Sequence, residues 1–322
     1  FAIFGSVAAG GTEASIERVT LPYLVLGAAF VLVAVFLKFS SVPNQVDLDG
    51  LAADEASDAS KLAHKPSAFG YPQLVLGMIA IFVYVGVEVS TISNMPAYLE
   101  LPVSEGGLGI ETALIAPFVS LYWASLMIGR WAGAAGAFDV AKHTKWMLTI
   151  LLPYLAFGVF LAVNAFANHE ISHFFMYGFV IVLMIAATFA SRGNPARMLL
   201  YFAICGIAAL VIGMLTTGMT SVVAFISVGL FCSTMWPCIF TLAITGLGRN
   251  TNQGSSLLIM MIMGGGIVSW LQGVIADMHG IHYSFVVGVL CFAYLAFYAI
   301  AAKRALQKQG IDLDALTAQG GH

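Results

Sequence analysis

The chain has 322 residues, of which 60% are hydrophobic and only 9% are charged, and its formal net charge is −3. Soluble globular domains contain about 25% charged residues, so this composition excludes a soluble domain and indicates a polytopic membrane protein. The small net charge, with most acidic residues in loops, gives no support for a nucleic-acid partner.

Long apolar stretches follow one another along the chain, and we interpret nine of them as transmembrane helices. A helix needs ~20 residues to cross ~30 Å of hydrocarbon. The predicted spans are Leu21–Ser40, Tyr71–Tyr98, Thr112–Ala137, Trp146–Ala167, His173–Ala190, Met198–Gly218, Ser221–Leu247, Gly254–Ala276 and Tyr283–Ala302. Mostly short gaps predict an all-α bundle in which consecutive helices are antiparallel neighbours.

The basic residues predict how these spans are oriented in a bilayer. If the gap between the first and second spans is cytoplasmic, Arg18 is the only one of the 13 Lys and Arg residues that falls outside. Short cytoplasmic loops carry an excess of Lys and Arg, and the opposite orientation would violate this bias at nearly every loop. We therefore expect a lipid bilayer as partner and a cytoplasmic C-terminus.

Glu88 is the only acidic residue deep inside a predicted span. A charge at mid-membrane costs at least ~2.5 kcal/mol, so the side chain should face a cavity or a partner, or carry a proton. At helical spacing, acid, hydroxyl and aromatic groups share its face: Tyr84, Glu88, Thr91, Met95 and Tyr98. This is the composition of a sugar site, and a structural hydrogen bond between helices is the alternative.

Two further side chains are substrate-binding candidates. Asn94 lies about 240° around the helix from Glu88, off the same face unless Pro96 distorts that end. Trp236 offers an aromatic face for stacking on a sugar, although lone aromatics in membrane bundles also serve as packing or interfacial anchors.

Helix breakers inside two spans are candidates for conformational change. Pro237 removes a backbone donor and predicts a kink near Met235–Cys238. Three weak helix formers follow in the next span: Gly264, Gly265 and Gly266. Close helix packing is the alternative for these glycines, as it is for the GxxxG pair Gly129 and Gly133.

The segment His169–His173 satisfies the pattern H-E-x-x-H, which on a helix binds zinc and positions a glutamate to activate water. Here the pattern occupies a short predicted outer gap, at a helix end. No third ligand follows in sequence, although His279 or His282 in another outer loop could supply one. A membrane zinc metalloprotease using His169 and His173 is therefore a remote alternative, and we expect no metal site, no cofactor and no enzyme.

Several motifs together resemble the fucose/glucose/galactose permeases, a sugar-proton symporter branch of the major facilitator superfamily. The last three helices of that family are matched by Met235–Ile244, Gly246–Gly248, Gln253–Ser256 and Met260–Val268. Its seventh and eighth helices are matched by Tyr84–Ser90 and Ile128–Arg130.

The resemblance implies a C-terminal six-helix bundle with one preceding helix and two inserted helices. Residues 1–41 are predicted to be the end of an N-terminal bundle, with partial helix five and helix six, and residues 42–70 a cytoplasmic linker. Residues 71–304 are predicted to form the C-terminal bundle, with the insertion at 142–193. Residues 305–322 are predicted to be a cytoplasmic tail. We expect the inserted pair on the periphery. We interpret the sequence as a fragment whose N-terminal half is missing.

The function implied by the resemblance is proton-driven uptake of a hexose by alternating access in a bacterial inner membrane. The proton gradient then replaces any cofactor, and the partners are a sugar and the absent half of the chain. Arg130 resembles a gating or loop-anchoring residue that extends toward the cytoplasmic surface. Another major facilitator carrier, or an exporter of a small solute, is the alternative because fold does not fix substrate.

Overall fold

The computed structural model describes residues 17–39, 67–105, 107–134 and 141–314. Its α-helices are α1 Glu17–Phe39, α2 Pro72–Glu100, α3 Ala116–Ala134, α4 Lys142–Phe166, α5 Tyr177–Ser191, α6 Pro195–Leu215, α7 Gly218–Cys232, α8 Met235–Ile244, α9 Thr251–Met260, α10 Gly264–His279, α11 Ile281–Ser284 and α12 Val286–Lys308. Short 3-10 turns connect several of them, and the described residues contain no strand. The predicted all-α class is confirmed.

Helices that can cross a membrane account for most of the described chain. Seven are long and apolar enough: Pro72–Glu100, His143–Phe166, Ser172–Ser191, Pro195–Leu215, Gly218–Ile244, Gly248–His279 and Ile281–Lys308. Two of the nine predicted spans are not among them. Within α1 the described side chains form the apolar segment Leu24–Phe36, and α3 has 19 residues that include several polar side chains and Arg130.

Residues 1–57 and 58–322 form two compact units. In the first, the described element is α1, and most of the predicted linker 42–70 lies outside the described residues. In the second, α2 is central and packs against α7, α8, α10 and α12. Helix α12 also packs on α6, α6 packs on α7, and α3 joins α7 to α4.

Hydrogen bonds at one end of the bundle tie together segments that the charge pattern places on one side of the membrane. At the start of α2, Gln73 Nε2 donates to Thr245 O after α8 (3.2 Å), and Gln309 Nε2 after α12 donates to Gln73 Oε1 (2.8 Å). Before α6, Asn194 Nδ2 donates to Asp314 Oδ1 (2.6 Å). We call this the Gln73 end; it is the end that the sequence predicts to be cytoplasmic.

At the opposite end of the bundle, the other ends of α2, α6 and α7 lie together. Tyr98 near the end of α2 donates to Ser221 Oγ at the start of α7 (2.8 Å), and Ser221 donates to the carbonyl of Gly213 on α6 (2.6 Å). His282 Nε2 lies 3.0 Å from that carbonyl. Consecutive spans therefore alternate in direction, as the short gaps predict.

Two spans are interrupted where the sequence contains helix breakers. Helix α7 ends at Cys232 and α8 begins at Met235, so the break lies just before Pro237, close to the predicted kink. The next span changes to a 3-10 turn at Met261–Met263 and resumes an α-helix at Gly264. The distortion therefore precedes the three glycines rather than falling on them.

The predicted insertion forms the helix pair α4 and α5. The central stretch of the α4 span is 22% buried and that of the α5 span 33%, against 78% for the span of α7 and α8. The pair is fixed to the bundle by Tyr177, a fully buried side chain whose hydroxyl donates to Ser125 Oγ on α3 (2.7 Å). Its low burial agrees with the expected position on the periphery.

The segment after α12 folds back onto the Gln73 end. The Asp314 carboxylate lies 2.8 Å from Lys303 Nζ and 3.0 Å from a guanidinium nitrogen of Arg197. The hydrogen bond from Lys303, the positive charges of Lys303 and Arg197, and the Asn194 amide together hold the pKa of Asp314 below its usual range. Asp314, which lies outside the membrane-spanning segments, thus links the ends of α6 and α12.

Candidate functional site

An acidic and a basic side chain meet between α2 and α3. Glu88 Oε1 lies 3.8 Å from a guanidinium nitrogen of Arg130; the Glu88 side chain is 13% exposed and that of Arg130 58%. From the same α3 helix, Tyr122 donates to the backbone carbonyl of Glu88 (2.7 Å). Glu88 therefore has the partner that an intramembrane acid requires, and its backbone is fixed to the helix that carries this partner.

Two aromatic side chains complete this group. Tyr84, one turn before Glu88 on α2, is buried and interacts with the Glu88 carboxylate. Its ring also meets that of Trp236 edge to face, with centroids 6.1 Å apart. Trp236 is half-buried in the first turn of α8, directly after the helix break. We call Tyr84, Glu88, Arg130 and Trp236 the Glu88 cluster; α2, α3 and α8 contribute to it.

A cavity of about 670 Å³ adjoins the Glu88 cluster. It lies between the second half of α3, the start of α6 and α8, and its lining includes Arg130, Thr234, Trp236, Pro237 and Thr241. Most of the remaining lining is apolar. Thr234 is buried, and its hydroxyl has no hydrogen-bond partner among the described residues. The cavity therefore combines one cation, an indole ring and hydroxyl groups on an apolar wall, which is a composition that suits a small polar solute.

The other residues predicted on the Glu88 face point into the bundle. Thr91, Met95 and Tyr98 are all buried, and the cavity lining contains neither them nor Asn94. Of the Glu88 cluster, only Arg130 and Trp236 line the cavity. Asn94 Nδ2 donates to the carbonyl of Ser90 in the same helix (2.9 Å). The structure thus brings Tyr84, Trp236 and Arg130 to Glu88 but does not bring Thr91 or Asn94 there.

The conformational candidates differ in their surroundings. Pro237 is exposed and lines the cavity. A side chain at Gly264 would collide with the backbone of Phe82 on α2, whereas one at Gly266 would meet nothing within 4 Å. At Gly265 an added Cβ would lie 3.2 Å from the side chains of Val85 and Val89. Gly264 and Gly265 therefore permit the close contact of α2 with α10, as the packing interpretation predicts.

The H-E-x-x-H segment lacks the helical geometry that its zinc chemistry needs. Residues 169–171 are not helical, and a 3-10 turn begins at Ser172. His169 Nδ1 lies 3.2 Å from Asn164 Oδ1, and His173 Nε2 lies 3.5 Å from Glu170 Oε1. Within the described ranges, no three His, Cys, Asp or Glu side chains form a group that could hold a metal ion.

Sequence reasoning found three members of the Glu88 cluster as substrate candidates but assigned Arg130 to a gate or loop. The Glu88–Arg130 pair joins two helices whose register cannot be read from one sequence. Tyr122 was not predicted, and its only indication in the sequence is that a phenol inside a span needs a hydrogen-bond partner.

Known proteins similar to this chain are transporters. The chain is 32% identical to a Brucella abortus protein named glucose/galactose transporter, over 94% of this chain and 60% of that protein. It is 34% identical to the L-fucose-proton symporter of Escherichia coli, over 34% of this chain and 25% of the symporter. No protein-family model matches.

A solved structure shares the fold. The crystal structure of the Major Facilitator Superfamily transporter FucP, in the outward conformation, matches with a TM-score of 0.57 and 22% sequence identity. The match covers 89% of this chain and 55% of FucP, so the chain spans little more than half the length of these similar proteins.

These similarities confirm the predicted family resemblance and fold class, and the similar proteins are named as transporters and not as enzymes. The helices that can span a bilayer, together with the fold, make the chain an integral membrane protein. The chain is thus similar in sequence to bacterial proteins named as sugar transporters and shares the fold of a Major Facilitator Superfamily transporter.

Proposed function

We propose that this chain is the C-terminal part of a proton-coupled transporter that takes up a hexose across a bacterial inner membrane by alternating access. The observation that carries the proposal is the Glu88 cluster beside a 670 Å³ cavity. It occurs in a chain that is 32% identical over 94% of its length to a protein named glucose/galactose transporter. The Gln73 end is cytoplasmic in this proposal, because the basic residues collect in the loops at that end.

The cavity wall contains the groups that a pyranose needs. Sugar hydroxyls require hydrogen-bond partners, which Arg130, Thr234 and Thr241 supply at the wall, and the apolar ring face requires a flat carbon surface, which the indole of Trp236 supplies. Glu88 and Tyr84 do not line the cavity and act on it through Arg130 and Trp236. The volume of about 670 Å³ lies within the ~300–1,000 Å³ common for small-molecule sites. In the proposed full-length transporter an N-terminal half would provide the opposite wall, since substrate binds at the interface of the two halves in this kind of transporter.

The ion pair gives the site a means of responding to a proton. A proton on Glu88 would cancel its attraction for Arg130, whose side chain is already 58% exposed and lines the cavity. The guanidinium would then be able to turn toward a sugar hydroxyl. The titratable groups that face Glu88 are Tyr84 on α2, Arg130 on α3 and, deeper in the bundle, Tyr122 and Cys232. Proton binding and sugar binding would thus be linked through one side chain.

The helix break places this cluster next to a point of low backbone stiffness. Trp236 and Pro237 lie in the first turn of α8, close to Ser233 and Thr234, the two residues that separate α7 from α8. A change in the angle between α7 and α8 would move the indole relative to Tyr84 and Glu88. Because Gly264 fixes α10 closely against α2, we expect α2 and α10 to move as one unit during the opening of either side.

The experiment is uptake of fucose, glucose and galactose by the full-length protein in proteoliposomes. We expect faster uptake with an acidic exterior, and at least tenfold slower uptake in Glu88→Gln. The matched control is Glu100→Gln, which removes an exposed carboxylate at the end of the same helix and should leave uptake unchanged. Absence of uptake of all three sugars by the wild type would contradict the function, and normal uptake by Glu88→Gln would remove Glu88 from the mechanism.

A further inference from the structure

A second concave surface lies on the outer side of the inserted helix pair, away from the Glu88 cluster. It is a groove of about 280 Å³ along one face of α4, lined by His143, Trp146, Met147, Ile150, Leu151 and Tyr154. All of these residues belong to the first half of α4. The groove has a histidine at one end, and its walls beyond that residue are almost entirely apolar and aromatic. The histidine end therefore suits a polar group, and the rest of the groove suits an apolar chain.

The walls of the groove are held in place by the neighbouring helix α5. The ring of Trp146 lies 5.2 Å from that of Phe189, and the hydroxyl of Tyr154 donates to the carbonyl of Gly178 (3.2 Å). Trp146 and Leu151 are nevertheless 56% and 52% exposed. A preformed apolar surface therefore faces outward from the least buried span of the bundle.

The length of the groove matches one leaflet of a bilayer. His143 and Tyr154 are eleven positions apart, which on an α-helix is about 16 Å at 1.5 Å per residue. Half of the ~30 Å hydrocarbon thickness is about 15 Å. A single acyl chain, entering at the His143 end, would therefore occupy the groove over its whole length.

Basic residues lie near the His143 end of the groove, in the same helix turn and at the end of the adjacent helix, although His143 alone among them belongs to the lining. The helix begins at Lys142, with His143 and Lys145 in its first turn, and Arg192 follows the end of the adjacent α5. No carboxylate of the described residues forms an ion pair with Lys145 or Arg192, and Asp139, the nearest acid in sequence, lies outside those residues. The contact of Trp146 with Phe189 places this end of the groove at the Gln73 end. A ligand that fits both parts has an anionic head and an apolar tail.

We propose that this groove binds an anionic phospholipid, with the phosphate near His143 and Lys145 and one acyl chain along Trp146 and Leu151. A basic site at the membrane surface attracts anionic headgroups by about 1 kcal/mol per Lys or Arg. A zwitterionic lipid would bring an ammonium group close to Lys145 and Arg192, neither of which forms an ion pair with a carboxylate of the described residues. The proposal does not depend on the transport function, because the groove lies outside the Glu88 cluster.

The test is native mass spectrometry of the full-length protein incubated with phosphatidylglycerol or phosphatidylcholine. The wild type should retain phosphatidylglycerol preferentially, and Lys145→Gln should weaken this retention about fivefold. The control Arg304→Gln removes an exposed cation from α12 at the same end and should change it little. If Lys145→Gln and Arg304→Gln lose phosphatidylglycerol equally, the lipid is attracted to the basic surface as a whole and the proposal is overturned. Equal retention of phosphatidylglycerol and phosphatidylcholine by the wild type would also overturn it.

A second pair of variants tests the groove itself. Trp146→Ala removes one wall and should lower phosphatidylglycerol retention, whereas Trp270→Ala removes another exposed indole, from α10, and should not. Lys145→Arg keeps the charge and should restore retention. Unchanged retention in Trp146→Ala would show that the acyl chain does not occupy the groove and would overturn the proposal even if Lys145 contributes.

Discussion

The Glu88–Arg130 pair allows a quantitative test of the site, because the two side chains differ in exposure. Arg130→Gln leaves the Glu88 carboxylate, 13% exposed, without its counter-ion, whereas Glu88→Gln leaves Arg130 with access to water through the 58% exposed part of its side chain. Breaking a fully buried ion pair costs about 3–5 kcal/mol, and exposed pairs contribute about 0–1 kcal/mol. We therefore expect Arg130→Gln to lower the free energy of unfolding by about 2 kcal/mol and Glu88→Gln by less than about 1 kcal/mol.

The distance gives an upper limit for the interaction of the pair. At 3.8 Å and an effective dielectric constant of about 20, Coulomb's law gives about 4 kcal/mol. Solvent around Arg130 and the cost of desolvating Glu88 reduce this value, so the coupling energy should be about 1–2 kcal/mol. The double variant Glu88→Gln/Arg130→Gln should consequently be more stable than Arg130→Gln alone.

The assay is a double-mutant cycle on thermal unfolding of the purified protein, with uptake measured in parallel. At about 2–4 °C per kcal/mol, Arg130→Gln should lower the Tm by about 4–8 °C, and the second substitution should restore part of this loss. Uptake should remain low in all three variants, because the double variant recovers stability but still lacks both the carboxylate and the guanidinium. Additive effects, or a larger loss from Glu88→Gln than from Arg130→Gln, would refute the pairing as described.

Three further predictions concern packing, the tail and the H-E-x-x-H segment. Gly264→Ala should destabilise the protein by about 1–3 kcal/mol through overpacking against α2, whereas Gly266→Ala should be neutral or slightly stabilising; equal melting temperatures would contradict the close contact. Because the pKa of Asp314 is lowered in the folded state, its stabilising contact is present above the ordinary pKa and is lost as the pH falls through the lowered value. Asp314→Asn should therefore lower the Tm at pH 7 but make no difference in strong acid, and a pH-independent effect would rule out the ion pairs. His169→Ala should retain full uptake, and metal analysis of the wild type should find no stoichiometric zinc; bound zinc that disappears in this variant would revive the metalloprotease alternative.

The sequence determined the helical class and the alternation of spans, because both depend on local composition. Apolar length identifies a span, and the basic loops indicate which helix termini lie together, as Gln73, Asn194 and Asp314 do at one end. The exact bounds were less predictable. The predicted span from Met198 begins at Pro195 instead, because Asn194 accepts hydrogen bonds from the first backbone amides of α6.

Helical periodicity predicted some residues of the candidate site but not others. Helical spacing correctly put Tyr84 on the side of Glu88, but it also put Thr91 there, since it cannot tell which part of a face meets a cavity and which meets another helix. The contact of Trp236 with Tyr84 depends on the break at Ser233–Thr234. The position of Arg130 depends on the approach of α3 to α2, a tertiary relation that no local pattern contains.

The central claim is that a hexose reaches the cavity beside the Glu88 cluster, and its most direct test is substrate protection of a cavity residue. In a variant without native cysteines, Thr241→Cys should react with a polar thiol reagent, because Thr241 is exposed and lines the cavity. Saturating galactose or glucose should slow this reaction severalfold, and the protection should disappear when Trp236→Ala is added. Labelling at the same rate with and without every hexose tested would contradict the account.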